Sequence, residues 1–194
     1  MATLTPCLTA YIVAKFPYKP LKLISYVVIV CITLPIVGSL PSEIQVARAL
    51  GVYDRMWGMW IMKSYFITMY YFVFLATFQV IPDAYAEAAK IDGASNMRVM
   101  FSIMLPLVRN TFFAVFLIKF IENWNDYQTP LMLMPNHPTI SLGLYYFAFS
   151  TNSALSSTTM ELTGCMLVFV PILVCYIIFH RYLLSNVSMG GIKG

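Results

Sequence analysis

Residues 82–107 read PDAYAEAAKIDGASNMRVMFSIMLPL, and the expected fold of the whole chain follows from this stretch. It is the longest block in which polar and charged residues are regularly interspersed. Long apolar segments flank it on both sides. The stretch is therefore expected to be a folded loop at a membrane surface.

The stretch divides into two short predicted helices. Pro82 suits the first turn of a helix, because its missing N–H would be unpaired there anyway, and the alanines after it favour helix. The first helix is expected to end near Ile91. Gly93 readily takes the left-handed conformation that closes a helix, and the Ser95 hydroxyl can cap the next one. Apolar residues at helical spacing predict the second helix: Met97, Phe101, Met104 and Leu105.

A set of residues in this stretch has the spacing of a known motif: Glu87, Ala88, Ala89, Gly93, Ile103, Leu105 and Pro106. The spacing resembles the EAA loop of the integral membrane subunits of ABC importers. Asp92 before the glycine and Ala94 after it resemble the carbohydrate branch of that family, the maltose-type permeases.

The resemblance implies a role for the loop. In that family the loop is cytoplasmic and docks into a cleft on the ATPase subunit, where Glu87 would pair with a basic group and Gly93 would permit the bend. The alternative is that Glu87 only solvates a surface loop and Gly93 only ends a helix. The residues expected to couple the chain to the ATPase are Glu87, Ala88, Ala89, Asp92, Gly93, Ala94, Ile103, Leu105 and Pro106.

Composition indicates an integral membrane protein. The chain has 194 residues, a mean hydropathy of +0.76 and 10% charged residues, whereas soluble domains carry about 25%. The net charge of +4 is no argument for nucleic-acid binding, because membrane proteins accumulate cytoplasmic Lys and Arg that set their orientation. The cysteines lie singly in apolar surroundings without the spacing of metal ligands: Cys7, Cys31, Cys165 and Cys175.

Hydropathy predicts an all-α membrane protein, and the resemblance implies a multi-span helical bundle of the ABC importer permease type. The resemblance also implies a single permease domain over residues 1–194 in a bacterial-type inner membrane, and the distribution of Lys and Arg places the loop at 79–106 on the cytoplasmic side. Family members usually have six spans, so the N-terminal part looks missing. The expected segments are a partial span at 1–14, four full spans at 23–40, 57–78, 107–124 and 157–179, a cytoplasmic coupling loop with a helix-turn-helix at 79–106 and a cytoplasmic tail at 180–194.

The C-terminal end of the third full span is unusually polar. Lys119, Glu122 and Asp126 would share one helical face, and charge inside a span normally faces a cavity or a partner. A run of four residues resembles the WN and acidic motif of sugar permeases and is the predicted substrate pathway: Asn123, Trp124, Asn125 and Asp126. The alternative is a structural pair of Lys119 with Glu122, and Trp124 in an aromatic belt at the membrane interface.

The sequence contains no recognisable catalytic, cofactor-binding or metal-binding constellation. It lacks the GxxxxGK[ST] stretch that cradles phosphates, so ATP hydrolysis is expected in a separate subunit. The expected function is that of a sugar permease subunit, with ATPase subunits, a second and different permease, an extracytoplasmic solute-binding protein, the carbohydrate and the bilayer as partners. The alternatives are an ion-coupled secondary transporter, which would need paired broken helices with ionisable residues, and a membrane-embedded enzyme.

Overall fold

The computed structural model describes residues 1–16, 18–34, 38–149 and 158–188. Within these residues the structure is helical and has no β-strand, so the predicted all-α fold is confirmed. In chain order the helices are α1 Leu4–Lys15, α2 Lys19–Thr33, α3 Leu40–Ala49, α4 Met56–Met62, α5 Met69–Val80, α6 Ala84–Ile91, α7 Asn96–Val99, α8 Leu105–Leu107, α9 Arg109–Asn125, α10 Gln128–Leu133, α11 Ile140–Ala148 and α12 Thr158–Ser188. A π-helical turn, Met100–Met104, joins α7 to α8.

The chain forms two compact units. The first consists of Met1–Pro35, Tyr65–Phe116 and His180–Gly194, and the second of Ile36–Ser64 and Leu117–Phe179. In the first unit, α5 packs on α1 through fully buried aromatic rings. The Phe78 and Tyr11 rings lie 5.4 Å apart, edge to face. The second unit has a smaller buried cluster at Ala47, Val52 and Leu133.

The predicted span at 57–78 is two helices in the structure. α4 ends at Met62 and α5 begins at Met69, and the boundary between the two units falls in the non-helical residues between them. Polar groups interrupt the apolar run here: Lys63 pairs with Asp126 at 2.6 Å, and the Ser64 hydroxyl bonds to the Trp60 carbonyl. Because the partner of Lys63 is distant in sequence, hydropathy alone does not reveal the interruption.

The predicted span at 107–124 begins with a sharp bend. The segments Asn96–Leu107 and Arg109–Asn125 are inclined at 77° to each other. Pro106 lies just before the bend, and a proline removes one helical hydrogen bond and crowds the preceding turn. The π-helical turn before it, Met100–Met104, is a second irregularity in the same helical path.

The other predicted segments correspond to helices with shifted bounds. The partial span at 1–14 corresponds to α1, and the span at 23–40 to the shorter α2, which ends before residues 35–37 that lie outside the described residues. The span at 157–179 corresponds to α12, which continues into the predicted tail. Residue 157 and the tail residues 189–194 also lie outside the described part.

One helix of the described residues is long and apolar enough to cross a membrane, Thr158–Tyr182 within α12. A second candidate exists if the bent pair Asn96–Leu107 and Arg109–Asn125 is taken as one broken span. The expected four full spans therefore stay a prediction.

Candidate functional site

The first candidate site is the loop that contains α6 and α7. α6 begins after Asp83 and ends at Ile91, and Gly93 follows with a φ of +81°. A residue with a Cβ resists this left-handed conformation, whereas glycine adopts it freely. The Ala94 N–H donates to the Ala89 carbonyl at 2.9 Å and closes the turn. The predicted helix, stop and glycine turn are thus all present, but the helix begins two residues after Pro82, which lies outside its first turn.

The second helix of the loop begins as predicted. Ser95 is extended, and its hydroxyl accepts a hydrogen bond from the Arg98 N–H at 3.3 Å, which is the expected cap. Val99 and Met104 are buried in the core of the first unit, together with Ala89 of α6. Both helices of the loop therefore have one side anchored in that core.

Large apolar side chains project from the same loop. Ile91, at the C-terminal end of α6, is 87% exposed. Tyr85, Met97 and Phe101 are also exposed, so the predicted apolar stripe of the second helix is divided between the core and the surface. These apolar side chains are therefore available to a partner of the loop.

The residues predicted to couple the chain to an ATPase fall into two groups. Glu87, Ala88, Asp92, Gly93 and Pro106 are exposed. Ala89 is buried, and three others are half-buried against the core of the first unit: Ala94, Ile103 and Leu105. The exposed group is available to a partner, whereas the second group holds the loop in place.

Lys15 fastens the start of the loop, a contact that the sequence does not reveal. Its side chain is only 7% exposed, and its Nζ lies 2.7 Å from the Asp83 carboxylate and 2.5 Å from the Ile81 carbonyl oxygen. The Lys15 ammonium group therefore contacts both the carbonyl of the residue that follows α5 and the carboxylate of the residue that precedes α6. From the sequence, Lys15 is recognisable only as a lysine at the end of an apolar segment, and nothing indicates its contact with Asp83.

The second candidate site, the polar end of α9, is internally bonded. Lys63 donates to Asn123 Oδ1 at 2.9 Å and to Asp126 Oδ2 at 2.6 Å. The Asn123 amide donates to the Lys119 carbonyl at 2.7 Å. Asp126 also accepts from the Thr129 N–H at 3.0 Å and from its hydroxyl at 2.5 Å. Two of the predicted substrate residues are thus engaged within the protein.

The environment of Asp126 favours its ionised form. Partial burial alone would raise the pKa of this carboxyl, but the hydrogen bonds from Lys63 and Thr129 outweigh burial and hold the pKa below its usual range. Lys119 and Glu122 form the structural pair given as the alternative, with Nζ and Oε2 2.8 Å apart. Asp126 does not join that pair.

The remaining two predicted substrate residues differ from each other. The Trp124 indole N–H donates to the Val168 carbonyl at 3.1 Å, which ties α9 to α12 within the second unit. The Asn125 amide donates to the Ile121 carbonyl at 3.0 Å. Asn125 also lines an open pocket with residues of α11 and α12.

Residues 7–189 match the protein family described as "Binding-protein-dependent transport system inner membrane component". The sn-glycerol-3-phosphate transport system permease protein UgpE of Pectobacterium atrosepticum is 29% identical over 90% of this chain and 62% of its own length. The diacetylchitobiose uptake system permease protein NgcG of Streptomyces coelicolor is 27% identical over 98% of this chain and 64% of its own. This chain therefore spans less than two thirds of the length of either relative.

A solved structure has the same fold. It is a bacterial ABC transporter involved in the import of the acidic polysaccharide alginate, with a TM-score of 0.73 at 19% identity, and the match covers 93% of this chain and 71% of that one. This likeness agrees with the predicted permease fold, and the family match covers nearly all of the chain. The chain belongs to the family of inner membrane components of binding-protein-dependent transport systems.

Proposed function

We propose that this chain is a membrane-spanning permease subunit of an ATP-binding-cassette importer that carries a sugar across a bacterial-type inner membrane. Its family membership supports this assignment. The names of its relatives, which include permeases for diacetylchitobiose and arabinooligosaccharides, support a carbohydrate as the substrate. In this proposal the chain is multi-pass, with spans near the predicted segments and the loop at 79–106 in the cytoplasm.

The coupling loop is the observation that carries the proposal. Its base is buried in the first unit, while Glu87, Ile91 and the other exposed residues project from it. A helix held this firmly can transmit a displacement of its tip to the spans, because packed elements move as rigid bodies. An apolar tip beside a carboxylate suits a cleft on an ATPase that offers apolar contacts and a basic group.

The proposed assembly contains further proteins. ATP hydrolysis takes place in separate subunits, since this sequence has no phosphate-cradling GxxxxGK[ST] stretch. A second, different permease completes the translocation pathway, and an extracytoplasmic binding protein delivers the sugar. The chain itself needs no cofactor in this scheme.

Uptake into vesicles tests the energy source. The complex would be purified with its ATPase, reconstituted with the binding protein, and supplied with a labelled disaccharide. Uptake should require ATP on the side of the membrane that carries the ATPase subunits, and it should persist when an ionophore collapses the ion gradients. Uptake that follows an imposed ion gradient without ATP would instead favour the ion-coupled secondary transporter.

A further inference from the structure

The second unit contains a pocket of about 360 Å³ that the sequence does not reveal. Its walls come from the end of α9, the residues after it, α11 and α12. Ligand pockets typically occupy about 300–1,000 Å³, so this one suits a small ligand of one or two rings. Within the described residues its lining includes Asn125, Tyr127, Tyr145, Phe149, Glu161 and Cys165.

Aromatic rings form one wall of the pocket. The Tyr127 and Tyr145 rings are stacked, with centroids 4.7 Å apart and planes inclined by 13°. Phe149 lies against Tyr145 at 4.8 Å. This stack joins Tyr127, two residues after α9, to α11 and places aromatic rings in the pocket wall. Such a surface suits the C–H face of a sugar ring, because it excludes water without requiring a charge.

The frame around these rings is fixed by hydrogen bonds. The Ser141 hydroxyl donates to the Trp124 carbonyl, and the Trp124 indole donates to the Val168 carbonyl at 3.1 Å. These bonds connect α9, α11 and α12 within the second unit. The pocket walls are therefore positioned before any ligand binds, which lowers the entropic cost of binding.

Polar acceptors complete the pocket. Asn125 uses its N–H on the Ile121 carbonyl, which leaves Oδ1 as an acceptor. The Glu161 side chain is half-buried, lines the pocket and makes no hydrogen bond or ion pair with the described residues. A carboxylate with unused acceptor sites can receive two hydroxyl hydrogens of a vicinal diol. None of the described residues that line this pocket is Lys, Arg or His.

From this chemistry we propose that the pocket binds a neutral, hydroxylated ligand of one or two rings, with Glu161 and Asn125 as hydroxyl acceptors. The proposal rests on the proposed transport function and narrows its substrate class. It sets this chain apart from a permease that carries glycerol 3-phosphate or an acidic polysaccharide. An anionic ligand would face Glu161 without a compensating cation in the described lining, and burying like charges together is unfavourable.

Cys165 provides a direct readout of the pocket. It is exposed and lines the pocket, whereas Cys175 lies on the same helix outside the pocket lining. Two variants of the full complex would each keep one of these cysteines, with the other three replaced by alanine. The rate of maleimide labelling would be measured with and without millimolar N,N′-diacetylchitobiose, arabinobiose, glycerol 3-phosphate, an alginate disaccharide or glucosamine.

Protection should be confined to Cys165 and to neutral sugars. At least one neutral disaccharide should slow the labelling of Cys165 about fivefold or more and leave Cys175 unchanged. In the Cys165 background, Glu161→Gln should raise the concentration needed for protection by about tenfold, because a hydrogen bond to a charged group is replaced by a weaker one. Glu122→Gln, which alters a carboxylate paired with Lys119 outside the pocket, should leave that concentration unchanged.

Several results would overturn the proposal. Protection by glycerol 3-phosphate or the alginate disaccharide would contradict the neutral substrate class, and protection by glucosamine alone would assign the pocket to cations. ATP-driven uptake of a neutral disaccharide with no change at Cys165 would remove this pocket from the pathway while leaving the transport function standing. Absence of both uptake and protection for every neutral sugar would count against the site and the transport function together.

Discussion

The coupling loop and the polar end of α9 both carry charged and polar residues, yet they use them in opposite ways. In the loop, the Glu87 carboxylate is exposed and makes no hydrogen bond or ion pair with the described residues. The apolar side chain of Ile91, at the end of α6, is exposed as well. At the end of α9, Asn123 and Asp126 accept hydrogen bonds from Lys63. Lys63 lies 60 residues before Asn123, directly after α4. Apart from Asp83 at its start, which pairs with Lys15, the loop presents the carboxylate of Glu87 outward, whereas Asn123 and Asp126 are paired within the protein.

This difference distinguishes a surface that is available to a partner from residues that stabilise the fold. A residue whose donors and acceptors are already paired must break those bonds before it can bind a substrate, whereas an exposed residue on a buried base has no such bonds to break. The loop is thus the better candidate for a partner contact. The Lys63–Asp126 pair is better explained as a structural contact that holds the end of α4 against the end of α9.

The largest expected effect comes from Gly93→Val. The glycine has a φ of +81°, and a β-branched residue is a clear outlier in that region. The turn would have to change direction at a cost of about 1–2 kcal/mol or more. Co-purification of the ATPase and sugar uptake should both be lost, as measured by affinity capture and by vesicle uptake.

Gly51→Val is the matched control for this variant. Gly51 has a φ of +67°, and a Cβ added at either glycine would meet no other atom within 4 Å, but Gly51 lies outside the coupling loop. The control should lower the unfolding temperature by a similar amount and keep the ATPase bound. Loss of the ATPase from both variants alike would mean that backbone strain, not the loop, decides the association.

A smaller effect on transport is expected from Asp126→Ala. It leaves the partly buried Lys63 ammonium without its carboxylate. Because the pair is neither fully exposed nor fully buried, we expect the free energy of unfolding to fall by about 2 kcal/mol. The unfolding temperature of the complex should fall, while the Kd of the complex for its sugar should change less than twofold.

A double variant sharpens this prediction. Lys63→Met with Asp126→Leu removes both charges and should recover most of the lost stability, because no uncompensated ion remains. If Asp126→Ala instead weakened sugar binding tenfold or more at unchanged stability, Asp126 would belong to the substrate pathway after all.

Ser95→Ala should have a still smaller effect, because it removes a single cap. The loss of an N-terminal cap costs about 1 kcal/mol, and here it would fray the second helix of the coupling loop. We expect a reduced rate of coupled ATP hydrolysis at normal expression. Thr139→Ala removes the equivalent cap of α11 and should leave coupling unchanged. Equal losses of coupling in the two variants would contradict the role of the loop.

The smallest expected effect is on the acid stability of the second unit. The pKa of Asp126 is lowered, so its stabilising contribution is present above the usual carboxyl pKa of about 4 and is lost as the pH falls below it. The unfolding temperature should be level between about pH 8 and 5 and should fall at lower pH. Asp126→Asn should reduce the slope of that fall; an unaltered slope would show that the bonded pair does not contribute.

Local features of the fold followed from the sequence. Helix α6, the left-handed Gly93 and the Ser95 cap depend on residues within a few positions of one another, and all were predictable.

Features that depend on distant contacts did not follow from the sequence. The interruption of the span at Lys63 is explained by Asp126, and the buried ammonium of Lys15 by Asp83, in each case more than 60 residues away. Periodicity and propensity describe neighbours along the chain, so neither reveals such a pairing. The Tyr127–Tyr145 stack arises from the same kind of contact and could not be foreseen.

Photo-crosslinking at Ile91 tests the central claim most directly. A benzophenone amino acid would replace Ile91, which is 87% exposed at the end of α6, and in a parallel variant Ile140, which is exposed at the start of α11. After illumination of the assembled complex in its membrane, we expect a covalent adduct with the ATPase subunit from position 91 and none from position 140. An ATPase adduct from position 140 and none from position 91 would contradict the account.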